Sequence, residues 1–263
     1  MEANRTNIPT ATNWLLTSVG SEEQPMIRST YMVVSNKTSK KGTAFSLTTG
    51  FLITNEHVVR GSAAHDLVII SSTGQQLAVK DIVVDADLDL AALELTEQPT
   101  EGFRIQRALP AIGERVHTWG YPLAYNGPSP ILSVGYLAGF NPVQSSNSVV
   151  KHYVVNGAFN PGNSGGPVIA EIEDAVVGVV VSKHAPIPKL HLSALEALKK
   201  QSSGFLYPVT DEAGNVYEFS EGQIIGVLLQ YFRDITQLVI GEAIAADVLI
   251  NFLDDNDLSW VEA

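Results

Sequence analysis

The sequence predicts an all-β protein of two six-stranded antiparallel barrels, and three observations predict it. Two sets of six short β-rich runs are separated by turn formers, with no helical pattern alternating between them, which argues against a parallel βαβ sheet. A stretch punctuated by Pro99, Gly102 and Pro110 divides the sets. The 263 residues, 45% hydrophobic and 17% charged, suffice to bury sizeable cores.

Residues 1–27 read as a polar N-terminal extension whose apolar cluster, Trp14-Leu15-Leu16, suits a short helix packed on the body. The first barrel, residues 28–98, takes its strands from Tyr31–Val34, Thr43–Leu47, Phe51–Thr54, Leu67–Ile70, Leu77–Val84 and Leu90–Leu95. Residues 99–112 connect it to the second, residues 113–253, with strands at Arg115–Trp119, Ile131–Ala138, Val149–Val155, Pro167–Ile172 and Ala175–Val181. Its sixth run, Gln237–Ala243, follows a mixed insertion over residues 183–236. There, Leu192, Leu195 and Leu198 recur at helical spacing before Lys199-Lys200, and a hairpin is expected around Asp211–Asn215. Gln223–Ile235 is apolar at nearly every position, so periodicity leaves helix and strand both open. Residues 254–263 are an acidic tail.

The formal charge of −12 argues against binding nucleic acid, since phosphate contacts need clustered Lys and Arg. Lys37, Lys40 and Lys41 are the densest cationic run and read as a solvated loop. There is no cysteine, no apolar leader at the start and no run of membrane-spanning length, so a cytoplasmic protein without membrane contact is expected.

The chemistry centres on Phe159-Asn160-Pro161-Gly162-Asn163-Ser164-Gly165-Gly166-Pro167, a composition that cannot continue a helix and suits a tight loop exposing a hydroxyl and backbone N–H groups. A serine hydroxyl needs a base and an orienting acid to act as a nucleophile. Upstream stand Thr54-Asn55-Glu56-His57-Val58-Val59 and Asp87-Leu88-Asp89-Leu90-Ala91-Ala92-Leu93. The three stretches together, in this order, resemble the trypsin-like serine peptidases, and most of all their HtrA/Deg-like branch, over about residues 28–182 and 238–253.

The resemblance implies a trypsin-like double barrel closed by a helix at Ala246–Leu253, with too few residues after it for a PDZ domain. It implies a serine endopeptidase working through an acyl-enzyme, with His57 as base, Asp89 orienting it, Ser164 as nucleophile and the N–H groups of Gly162 and Ser164 as oxyanion donors, without metal or organic cofactor. Ala158 and Phe159 would line the primary pocket, favouring small or medium apolar residues unless Glu242, on a bordering strand, points inward. A peptide or protein substrate would add as a strand against Val180, Val181 and Ser182. The insertion is a candidate contact for a regulatory partner or an oligomer. The alternative is a partner-gated latent protease, or a non-cleaving peptide-binding module on the same fold.

Several neighbouring residues are read alongside. Strand alternation puts Asp85, Asp87 and Asp89 on one face, and only the match to the family's DLAxL pattern selects Asp89, leaving the other two as solvated charges. Glu56 either raises the imidazole pKa or faces solvent, whereas His65, His117, His152, His184 and His191 read as buried structural residues. Asn163 cannot form the ion pair by which secreted relatives capture a new amino terminus, so activity without N-terminal processing is expected. The string Gly162-Asn163-Ser164-Gly165-Gly166 also fits an α/β-hydrolase elbow. That elbow needs a helix after the serine, which Gly165-Gly166-Pro167 forbids.

Overall fold

The computed structural model describes residues 11–123, 125, 127–181, 189–200, 204–210, 214–235 and 240–263. They divide into two compact units, Met1–Lys183 with Val239–Ala263, and His184–Leu238.

The first unit opens with helices α1 (Ala11–Ser18) and α2 (Glu23–Arg28), the former carrying the predicted Trp14 cluster. Strands β1 (Thr30–Ser35), β2 (Lys41–Ser46) and β3 (Leu52–Thr54) follow, then the single-turn helix α3 (Glu56–Val59) and strands β4 (Leu67–Ile70), β5 (Gln76–Asp85) and β6 (Leu90–Leu95). They close a barrel in the order β1-β2-β3-β6-β5-β4. Strands β7 (Arg115–Gly120), β8 (Ile131–Gln144), β9 (Val149–Gly157), β10 (Pro167–Ala170) and β11 (Ala175–Val181) form a second barrel. Its sixth strand, Ile240–Ala245, comes after the insertion, and the order β10-β11-Ile240–Ala245-β9-β8-β7 is again closed. All pairings within both barrels are antiparallel, as the run count predicts.

Side-chain alternation explains why some strands read as unbroken apolar runs. On β6, Ala91, Leu93 and Leu95 fill the first barrel's interior, while Leu90 and Ala92 point outward into a third cluster that also takes Phe103 and Ile105 of the connector. That cluster includes Val176 and Val179 of β11, whose neighbours Val177 and Val180 face the second barrel's interior. The C-terminal helix, Ala246–Asp255, contributes Leu249, Ile250, Phe252 and Leu253 to it. Asp254 and Asp255 lie in that helix's last turn, Leu258 is buried, and the chain returns to the connector, where Ile105 donates to the Val261 carbonyl and accepts from the Ala263 N–H.

Thr43 of β2 is a polar tie between the barrels. Its N–H donates to the Ser164 carbonyl at 2.9 Å, its Oγ1 donates to the Gly162 carbonyl at 2.7 Å and accepts the Tyr121 N–H at 3.0 Å, and its carbonyl accepts from Thr54 Oγ1 at 2.7 Å.

The second unit consists of helix α4 (Lys189–Lys200), hairpin strands β12 (Leu206–Thr210) and β13 (Val216–Ser220), and helix α5 (Glu221–Ile235). The segment the sequence leaves open is therefore helical. Gly226 packs against the backbone of Leu198 and Lys199, and Lys199 Nζ donates to Gln230 Oε1 at 3.1 Å. Ile225, Val227, Leu228, Leu229, Tyr231 and Phe232 stay exposed, so α5 meets α4 through its small and polar face and displays its apolar one. No described helix is long and apolar enough to cross a membrane.

Replacing Thr43 by the near-isosteric Val leaves a buried carbonyl and a buried N–H without partners, at a cost of about 3 kcal/mol in chemical denaturation. Burial holds the His117 ring below its ordinary pKa, partly opposed by Asp174 and Glu171, so the unfolded chain takes up a proton the folded one resists. Stability should fall as pH drops through about 6.5, and His117→Gln should flatten that slope in pH-dependent melts.

Candidate functional site

His57 and Asp89 meet because their strands are neighbours. β3 pairs with β6 in a register that sets Thr54 opposite Ala91, so the residues just after one and just before the other emerge at the same end of the barrel. The chain leaves β3 through Asn55, extended at φ −82° and ψ 149°, and enters α3 with His57 on its only turn. From the other side, β5 and β6 close a hairpin at the pair Asp85 and Leu90. Within it, Asp85 Oδ1 accepts the N–H groups of Asp87 and Leu88 at 2.9 Å each, and Asp89 takes a left-handed φ of 56°, a conformation Asp tolerates better than most residues.

Asp89 then grips the start of α3 with both main chain and side chain. Its carbonyl accepts the Glu56 N–H at 3.2 Å and Asn55 Nδ2 at 3.1 Å, and its Oδ1 accepts the His57 N–H at 2.9 Å. His57 Nδ1 lies 2.8 Å from Oδ2 and 3.0 Å from Oδ1, which puts the ring proton on Nδ1 and leaves Nε2 as the acceptor. Alternation does not govern residues 86–89, contrary to the sequence expectation, because they form a turn and not a strand. Asp87 is no mere solvated charge either. It accepts from Ser145 Oγ at 3.1 Å and Asn147 Nδ2 at 2.7 Å.

Glu56 does not face solvent. It is buried, and its carboxylate accepts from Arg60 Nε at 2.8 Å, one helical turn on. Lys40 Nζ donates to the His57 carbonyl at 2.8 Å.

Ser164 sits in the loop between β9 and β10. The turn Asn160-Pro161-Gly162-Asn163 closes through the Asn163 N–H on the Asn160 carbonyl at 2.9 Å, with Pro presetting its second position and Gly162 at φ +96° in the third. The Pro161 carbonyl accepts the Leu123 N–H at 2.8 Å, which fixes that peptide plane. The Gly162 N–H, trans to it, points the opposite way and has no acceptor among the described residues. Gly165, at φ +84°, lies so close that a Cβ would fall 2.2 Å from the Thr43 carbonyl and Thr54 Oγ1 and 3.0 Å from the Asn55 N. A Cβ on Gly42 would meet Val58 at 2.6 Å and the Ser164 carbonyl at 3.3 Å. The serine loop is thus seated on the residues that lead into and follow His57. Asn163 is fully buried, with no partner for its side-chain amide among the described residues.

Of the residues expected to meet substrate, Ala158 is half-buried and Phe159 is buried with its ring against Gly241. Glu242 is turned to Asn141 Nδ2 at 3.2 Å and His152 Nδ1 at 3.1 Å. Val180 corrects an expectation. Its N–H donates to the Gly166 carbonyl at 2.8 Å and its carbonyl accepts the Gly165 N–H at 2.9 Å, so its main chain holds the serine loop and does not await a peptide strand. Val181 is buried and pairs with Glu242, and Ser182 lies outside the described residues. Among the other histidines, His152 is buried, His117 is half-buried, and His65 is exposed, against the buried place expected for it, because its short 3₁₀ turn stands on the surface. His184 and the side chain of His191 fall outside the described residues. Sequence reading missed Gly42 and Thr43, although a glycine inside a strand run signals a close backbone approach. Among the described residues, no group of three or more His, Asp or Glu gathers as for a metal ion.

Comparison with known proteins agrees with this fold. The chain is 32% identical over 137 residues to the serine protease Do-like HtrB of Bacillus subtilis, covering 49% of this chain and 29% of that protein. It is 31% identical over 153 residues to the putative mitochondrial protease Do-like 12 of Arabidopsis thaliana, covering 55% and 30%. The chain therefore spans under a third of the length of these curated relatives. Its fold is shared with the Rv3671c protease of M. tuberculosis in an active form, at a TM-score of 0.61 and 14% identity over 95% of this chain and 88% of that one. The HtrA-type protease AlgW, solved with a tripeptide, matches at 0.58 and 16% identity over 90% and 64%. The family described as the trypsin-like peptidase domain matches residues 42–179, more than half of the 263. The chain belongs to the trypsin-like peptidase domain family.

Proposed function

We propose that the chain is a serine endopeptidase using His57, Asp89 and Ser164 as a catalytic triad. The observation that carries this reading is the double hold of Asp89 on His57, through ring and main chain, with the Ser164 loop seated on the same turn. With its proton fixed on Nδ1, the neutral imidazole takes the Ser164 proton at Nε2 as Oγ attacks the scissile carbonyl, then returns it to the departing amine. Water repeats the sequence on the acyl-enzyme. The N–H groups of Gly162 and Ser164 are the oxyanion donors in this reading, supported by the fixed plane of the Pro161–Gly162 peptide.

A small or medium apolar residue before the scissile bond fits Ala158 and Phe159, and it is favoured by the engagement of Glu242 with His152 and Asn141. Val181 and Ser182 are the residues left to pair with the substrate main chain. We read the second unit as a contact for a protein partner or a second copy, which its exposed apolar residues on α5 and the hairpin support. A reducing, cytoplasmic setting is consistent with the absence of cysteine.

Ser164→Ala should leave the thermal transition in place while abolishing peptide hydrolysis and fluorophosphonate labelling. Asp89→Asn keeps an acceptor for the His57 N–H but faces the ring with an amide, so kcat/KM should drop by about 10⁴. Turnover with the wild-type level of labelling in either variant would exclude this triad. Because Asn163 carries no charge for an amino terminus to pair with, unprocessed protein should hydrolyse peptides from the first assay. Activity that appears only after N-terminal cleavage would contradict this.

A further inference from the structure

Residues 40–42 run into β2 along the edge that meets the Ser164 loop, and they bring two ammonium groups with them. Lys40 Nζ rests on the His57 carbonyl, while Lys41 Nζ donates to the Tyr125 carbonyl at 3.2 Å and lies 3.4 Å from that of Pro122. The Pro122 segment also supplies Leu123, whose N–H orients the Pro161–Gly162 peptide. One cation thus abuts the histidine and the other the loop beside Gly162.

Neither ammonium has a carboxylate within ion-pair distance among the described residues, although the chain holds 28 acidic against 16 basic residues. Lys37, Lys80 and Lys151 are each paired with one. Lys41 is half-buried, and burial pulls its ammonium below the ordinary lysine range with no opposite charge to offset the loss. Two carbonyls solvate that charge without neutralising it. A carboxylate from outside would.

Direction along the cleft follows from what holds the serine loop. On one flank, Gly165 and Gly166 are bonded to Val180 of β11; on the other, Ser164 is bonded to Thr43 of β2. A peptide whose acyl side approaches past Val181 crosses Ser164 toward β2, so its departing half passes Lys41 and Lys40. The geometry points to a leaving-side subsite, made by Lys40 and Lys41, that takes a carboxylate just after the scissile bond. The carboxylate is either an acidic side chain or the substrate's own C-terminus. This subsite rests on the peptidase reading above and names its substrate class.

Three peptides with one common acyl side test it: one with Glu after the scissile bond and an amidated end, one neutral with a free terminal carboxylate close behind that bond, and one neutral and amidated. Hydrolysis by the wild-type chain is compared with binding to the Ser164→Ala chain by fluorescence anisotropy. The expected result is about a tenfold advantage in kcat/KM and in Kd for one or both carboxylate peptides, and which one gains tells side chain from terminus. The advantage should shrink as salt rises and collapse to a ratio of about one in the Lys40→Met, Lys41→Met chain. Lys41→Glu should shift preference toward a peptide with Lys in place of Glu. Equal hydrolysis of all three peptides, or an advantage indifferent to salt, overturns the subsite and leaves the peptidase reading intact. No hydrolysis, with tighter binding of the carboxylate peptides still present, does the reverse.

Discussion

The arrangement depends on four hydrogen bonds made by one residue. Thr43 belongs to the first barrel by its strand, yet its N–H and hydroxyl are committed to the carbonyls of Ser164 and Gly162, and its own carbonyl receives Thr54. Hydrophobic packing joins the two barrels over a broad area, but it is non-directional and tolerates sliding. Directional bonds at Thr43, with glycines on both sides of the contact, set the two halves in register to within a bond length. The placement of the Ser164 loop against the turn that carries His57 is set by that register.

Inside each half, the polar residues of the site are positioned by elements that would be poor structures by themselves. α3 is a single turn, far too short to persist alone, and it has no side-chain cap of its own. Asp89, from a neighbouring hairpin, satisfies the N–H groups of its first residues and orients the imidazole with the same carboxylate. One side chain thus holds both the helix end and the ring. The left-handed backbone at Asp89 is what lets its carbonyl and carboxylate face the same helix end.

Much of this was legible in the sequence. Each of the twelve barrel strands coincides with a β-rich run, because alternation and turn formers are local signals, and the three motifs fell where the closed sheets bring strand ends together. What was not legible has physical causes. Residues 86–89 could not be told from a strand by alternation, since Asx-type turn bonding at Asp85 overrides it. α5 escapes assignment from the pattern, because its exposed apolar residues mark the displayed face while Gly226 and Gln230 meet α4, the reverse of the usual arrangement. Thr43, Lys40 and Val180 act through main-chain contacts between segments distant in sequence, which no single-residue pattern encodes.

The third apolar cluster has a temporal meaning. Phe45, Ile53, Leu90 and Ala92 of the first barrel share it with Leu249, Ile250 and Phe252 near the chain's other end. Contacts between segments so far apart in sequence carry the largest loop-closure cost, so closing this cluster is a late step in folding. The packing shared by the two barrels and the helix Ala246–Asp255 is therefore among the last parts of the unit to set.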